Sequence, residues 1–120
     1  MKVTLRVLSG PMEGKTFEFA EPDRFLFGRS AEARCSLPDD PFVSSLHFLL
    51  VIAPPHVSLH ELGSKNGTYV NGIRIAPNIG TRLSRGDILS LGGSHKTRVG
   101  QERGNYADAF RYELVFVENS

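Results

Sequence analysis

The 120-residue chain contains a single cysteine, Cys35. It has no partner for an internal disulfide and cannot build a metal site alone, so a reducing, cytoplasmic setting is expected. Tryptophan is missing altogether and the formal net charge is only +1. Composition therefore supplies no strongly basic surface to steer the chain to nucleic acid or an anionic membrane. No apolar run approaches the roughly 20 residues that span a bilayer. The opening Met-Lys-Val-Thr-Leu-Arg-Val-Leu alternates polar and apolar side chains, so the chain is expected to begin as a strand and not as a targeting signal. Amphipathic helices of three turns, internal repeats and linker-like stretches are lacking too. What is present, 40% hydrophobic and 22% charged residues, fits one globular domain over 1–120 with its own core.

Strand signals run nearly from end to end. Val3, Leu5 and Val7 alternate with Lys2, Thr4 and Arg6, and Phe17 and Phe19 share a face after the Gly10–Gly14 turn. Phe25 to Phe27 reads as a short strand ending at Gly28, and Cys35 to Leu37 as a minimal one. The nearly continuous apolar run His47 to Ala53 is expected to be a central strand buried on both faces. Pro54-Pro55 turns the chain into His56 to Leu62. Ile73 to Ile75, Arg82-Leu83 and Asp87 to Leu91 follow as short strands. His95 to Val99 and Tyr112 to Glu118 are expected to close the fold as a pair, with a long polar loop over Gly100 to Ala109 between them. Ten or eleven short strands at this spacing predict an all-β sandwich or barrel.

Several tempting sites fail on spacing. Gly10 to Thr16 ends in Gly-Lys-Thr, but only three residues separate its glycines and a strand pattern follows where a phosphate-binding loop needs a helix. His56 and His60 share a strand face about 13 Å apart, too far for two ligands at about 2 Å from one ion. Ser44, His47 and Asp39 or Asp87 could be assembled into a triad only on paper, because no Gly-x-Ser-x-Gly elbow is present. The Asn66-Gly67-Thr68 glycosylation match has no secretion signal to support it. No catalytic residue, metal or cofactor is expected.

The informative segment is Gly63 to Gly72, Gly-Ser-Lys-Asn-Gly-Thr-Tyr-Val-Asn-Gly. Two Asn-Gly pairs five residues apart mark two tight turns, because Asn and Gly tolerate positive φ. The first turn carries Ser64, Lys65 and Asn66, with hydroxyl, ammonium and amide donors. Two further polar groups fall on loops: Gly28-Arg29-Ser30, where a strand ends, and Ser44-Ser45-Leu46-His47, ahead of the apolar run. One permanent cation, an ammonium, hydroxyls and an amide suit a dianionic phosphoryl group on a peptide.

In this order, Gly28-Arg29, Ser44-x-x-His47 and Gly63 to Gly72 resemble the signature of the forkhead-associated (FHA) domains. Leu83-Ser84-Arg85-Gly86-Asp87-Ile88-Leu89-Ser90-Leu91-Gly92 resembles their Leu-x-x-Gly-Asp-x-Ile-x-x-Gly region. The resemblance covers roughly residues 3–118. It implies an approximately eleven-stranded, antiparallel-rich β-sandwich of the FHA/SMAD-like type with binding loops at one end. By position, Arg29 and Ser44 would contact the phosphate, Ser64 or Lys65 would complete the pocket with Ser45 beside it, and Asn66 would hold the peptide backbone. His47 would brace the loop bearing Ser44, while Gly28, Gly67, Asn71 and Gly72 would hold backbone geometry, the last two purely as architecture. A niche for the threonine methyl group, worth at most about 0.8 kcal/mol, would favour phosphothreonine over phosphoserine.

Two departures from the family pattern stand out. Ser45 occupies a position that is often Arg or Lys, leaving Lys65 as the pocket's second cation and implying weaker phosphate affinity. Glu61 replaces the usual Asp before Leu-Gly-Ser. The expected function is a non-enzymatic phosphothreonine-peptide-binding module, part of or cut from a larger signalling protein, recruiting partners that a Ser/Thr kinase has modified. The alternatives are a phosphate-independent scaffold of the same fold, favoured by Ser45, and single-stranded nucleic-acid binding, which the near-neutral charge disfavours.

Overall fold

The computed structural model describes residues 2–9, 12–37, 43–91 and, as backbone, 112–119. The N-terminal alternation becomes β1 (Lys2–Ser9), with Val3, Leu5 and Val7 buried while Lys2, Arg6 and Leu8 face water. The chain turns at Gly14, whose φ is 92°, and its N–H donates to Val7 O at 3.0 Å. The Gly-Lys-Thr piece then runs into β2 (Thr16–Phe19), a strand and not a helix. β3 (Asp23–Gly28) is longer than the aromatic triplet suggests, because Asp23 and Arg24 keep pairing with Ile52 and Val51. β4 (Cys35–Ser36) is minimal. β5 (Phe48–Ala53) and β6 (His56–Glu61) form a hairpin across Pro54-Pro55.

β7 (Thr68–Val70) and β8 (Ile73–Arg74) are joined by Asn71 and Gly72, both at positive φ, 52° and 83°. A two-residue connection with both residues left-handed has the twist that antiparallel neighbours need. β9 (Thr81–Arg82), β10 (Ile88–Leu91) and β11 (Tyr112–Asn119) complete the eleven strands among the described residues. They form a six-stranded sheet ordered β2-β1-β11-β10-β7-β8 and a five-stranded sheet ordered β4-β3-β5-β6-β9. Only β3 and β4 pair in parallel; the other strand pairs are antiparallel.

β11 has two partners that periodicity did not name, and β5 is covered differently from expectation. β11 pairs with β1, from Lys2↔Asn119 to Ser9↔Glu113, and with β10, from Ile88↔Val115 to Leu91↔Tyr112. Its expected partner 95–99 and the 100–109 loop lie outside the described residues, as does Asp39. β5 is buried on one face only: Phe48, Leu50 and Ile52 are in the core, while Leu49 and Val51 are half-buried on the outer side. The apolar run resembled a strand covered on both faces because its outer side chains are also aliphatic.

The sheets meet on aromatic rings. Phe27 and Phe48 stack at 4.5 Å with 8° between their planes, and Phe17 from the opposite sheet meets Phe27 edge-on at 5.3 Å. Such pairs contribute beyond the area they remove from water. Burial pushes the Cys35 thiol up to about 11, so it stays protonated and packs as a small apolar residue. Phe27→Ala removes a fully buried ring from this contact and is expected to lower stability by about 3–5 kcal/mol in urea unfolding.

Candidate functional site

Three loops gather at one end of the sandwich: one after β3, one before β5 and one between β6 and β7. Their approach begins with an absent side chain. A Cβ on Gly28 would stand 2.1 Å from Ser45 O and 2.8 Å from its carbonyl carbon, so the end of β3 reaches the loop before β5 only as glycine. Two backbone bonds use that proximity, Arg29 N–H to Ser44 O at 2.9 Å and Ser30 N–H to Ser45 O at 3.2 Å. The exposed Arg29 side chain thus leaves from a backbone tied to the Ser44-Ser45 segment.

His47 ties the second loop to the third. Its imidazole is fully buried. Nδ1 accepts the Ser44 N–H at 3.1 Å, and Nε2 lies 2.9 Å from Gly67 O. An N–H on one side and a carbonyl on the other assign the neutral Nε2–H tautomer, which accepts with one nitrogen and donates with the other. The Lys65 N–H donates to Ser44 Oγ at 2.9 Å, a further link between the same loops. With Oγ acting as acceptor in that contact, the Ser44 hydroxyl proton remains for an incoming acceptor.

The third loop is built over Glu61, whose carboxylate is almost wholly buried. It accepts Gly63 N–H and Ser64 N–H, each at 2.8 Å, and the Ser64 hydroxyl in a short bond. Ser64 Oγ in turn accepts the Gly67 N–H at 3.1 Å. The Ser64 side chain, expected in a phosphate pocket, is therefore turned inward and spent on the turn. The longer Glu61 side chain reaches three donors at once. Asn66 is also 8% exposed, whereas Lys65 and Ser45 are open to water.

Arg74 stands beside these loops, and motif matching did not single it out. The β7–β8 hairpin folds it back beside the first turn, in register with Tyr69. A Cβ on Gly67 would lie 2.7 Å from Arg74 Nε and 3.0 Å from its Cζ, so the guanidinium rests on the loop backbone. The second Asn-Gly turn, expected as architecture alone, also delivers this cation. Asn71 itself is structural: its amide donates to Asp87 Oδ1 at 3.0 Å and its carbonyl oxygen accepts Ile88 N–H at 2.9 Å. The two-residue spacing from Asn71-Gly72 to Arg74 was the signal that a hairpin would return it. Arg29, Ser44, Lys65 and Arg74 thus mark one end of the fold, and the carboxylate of Glu61 is buried beneath them.

Among the described residues no three His, Cys, Asp or Glu side chains are grouped to hold a metal ion, and no helix is long and apolar enough to cross a membrane. His56 and His60 both lie on the outward side of β6, paired with Ala53 and Leu49.

Comparison with known proteins gives one answer. The FHA domain model matches residues 25–92, which contain all three loops. An FHA domain-containing protein of Arabidopsis thaliana is 26% identical over 85 residues, 71% of this chain, and the chain spans 22% of that relative's length. The FHA domain of the CT664 protein from Chlamydia trachomatis shares the fold at 22% identity with a TM-score of 0.77, covering 100% of both chains. The N-terminal FHA domain of S. cerevisiae Rad53p, solved in complex with a phosphothreonine peptide, is 21% identical with a TM-score of 0.71 over 97% of this chain and 94% of that one.

Glu61→Ala would strip the acceptor from two backbone donors and a hydroxyl in a buried turn. We expect a loss of about 2–4 kcal/mol in urea unfolding and faster amide exchange at Gly63, Ser64 and Gly67.

Proposed function

The chain belongs to the FHA domain family, and on that footing we propose that it is a phosphothreonine-peptide-binding module, acting by recruitment and not by catalysis. The observation that carries this reading is the arrangement at Ser44: a hydroxyl oxygen fixed by the Lys65 N–H, its proton not donated to any described residue, close to the backbone from which Arg29 projects. A phosphate dianion needs convergent donors and permanent positive charge, and it rewards donors already held in place.

In this reading Arg29 supplies charge-assisted hydrogen bonds to the phosphate and the Ser44 hydroxyl a further one. Lys65 takes the role of second cation that Ser45 cannot fill, with the Ser45 hydroxyl at the rim. Asn66, at the base of the same loop, holds the peptide main chain. Gly28, His47, Gly67, Asn71 and Gly72 keep the loops in register, and Ser64 serves the turn from within. The partner is a protein bearing a threonine phosphorylated by a Ser/Thr kinase. Because one position that is often basic is Ser45, affinity rests more heavily on Arg29 and Lys65. Both are exposed, so binding weakens as salt is raised.

Titrating one peptide in threonine and phosphothreonine forms, by calorimetry or fluorescence anisotropy, tests the proposal. The phosphorylated form is expected to bind and the other not. Arg29→Ala should lower affinity by about tenfold or more, the equivalent of a charged hydrogen bond of about 1.5–3 kcal/mol. Equal affinity for both forms would instead identify a phosphate-independent scaffold.

A further inference from the structure

The outer face of the five-stranded sheet carries a feature that the loop end does not use. Register places Arg24 and Leu26 of β3, Leu49, Val51 and Ala53 of β5, His56, Ser58 and His60 of β6, and Arg82 of β9 on that side. None of these is a carboxylate. Asp23, next to Arg24 in sequence, pairs across the sheet with the buried Ile52 and gives its carboxylate to the Arg24 N–H and to Arg34, the latter at 3.1 Å. Over these strands lies a groove of about 340 Å³ lined by Arg24, Leu49, Val51, His60, Leu62 and Asn78. Leu62 is 37% exposed and nearby Ile79 61%. The six-stranded sheet differs: its outer face carries both signs, with Lys2 and Glu18 paired at 3.6 Å.

An aliphatic floor rimmed by exposed arginines has a definite complement. Arg24, Val51, Ser58 and Arg82 stand in one row across four neighbouring strands, and three strand spacings set the two arginines about 14 Å apart. In an extended peptide, residues i and i+4 lie about 13 Å apart on one face, with i+2 between them on the same face. We propose that this face is a second docking surface, for an extended protein segment of the form acidic–x–apolar–x–acidic. Its carboxylates meet Arg24 and Arg82, and its apolar side chain seats between Leu49 and Val51. Among the described residues this face carries two imidazoles, His56 and His60, but no Phe, Tyr or Trp ring to serve as a stacking platform, so a protein segment fits better than single-stranded nucleic acid. The surface is separate from the loops around Arg29 and Ser44 and does not depend on a phosphate.

The test is a selection of unphosphorylated random peptides displayed on phage against the full chain. A synthetic peptide of the enriched sequence is then titrated into isotope-labelled protein. Enrichment of acidic residues four apart around an apolar one is expected, with amide shifts concentrated at Leu49, Val51 and His60. Arg24→Glu and Arg82→Glu, both at exposed positions, should each weaken the peptide by about tenfold at low salt, while Arg29→Ala leaves it unchanged. The proposal is overturned if no such sequence is enriched, if both charge reversals leave affinity intact, or if the shifts map to the loop end. It is equally overturned if sedimentation shows that the face is occupied by a second copy of the chain.

Discussion

One neutral imidazole holds the loop end of this fold together. His47 sits where the second and third loops converge and has no access to water, so both ring nitrogens must find partners in the protein. It takes an N–H from Ser44 and lies against the carbonyl of Gly67. An ionised carboxylate only accepts and an ammonium only donates, and burial at this depth would penalise either charge. Everything exposed at this end depends on that brace. Ser44 is placed by it, Lys65 bonds to Ser44, and Arg29 bonds to Ser44 from the other side.

The arrangement separates two kinds of residue. The side chains that define backbone position, Glu61, Ser64, Asn71 and His47, are each engaged in internal hydrogen bonds. Those that face water, Arg29, Ser45 and Lys65, hold their place through main-chain bonds at or beside them. A surface built this way can exchange exposed side chains without moving its backbone. The free energy of ordering the loops is met during folding and is not charged again when a ligand arrives.

Much of this was legible in the sequence. Period-two alternation located β1, β2 and β6, and the paired Asn-Gly turns located the β7–β8 hairpin and the loop before it. What escaped had specific causes. The run Phe48 to Ala53 concealed the difference between a covered and an uncovered face, because Leu49 and Val51 are aliphatic on either account. Ser64 was ambiguous because a hydroxyl on a turn can face ligand or backbone, and only the buried carboxylate of Glu61 decides it. Arg74 was missed because its importance comes from folding back on Gly67, a long-range relation that no motif carries. The pairing of β11 with β1, more than a hundred residues away in the chain, is another long-range relation that no motif carries.

That last pairing governs how the domain answers to force. Lys2 sits opposite Asn119, at the pole away from Leu91 and Tyr112, which lie beside Thr68 and the loop end. Tension between the two ends therefore acts across the β1–β11 ladder at its outermost rung. It would peel the ladder open one rung after another, starting farthest from the loops, and not shear all rungs together. The neighbouring interior strands β1 and β11 are in this sense the zip of the larger sheet, and a pull along the chain would reach the loop end last.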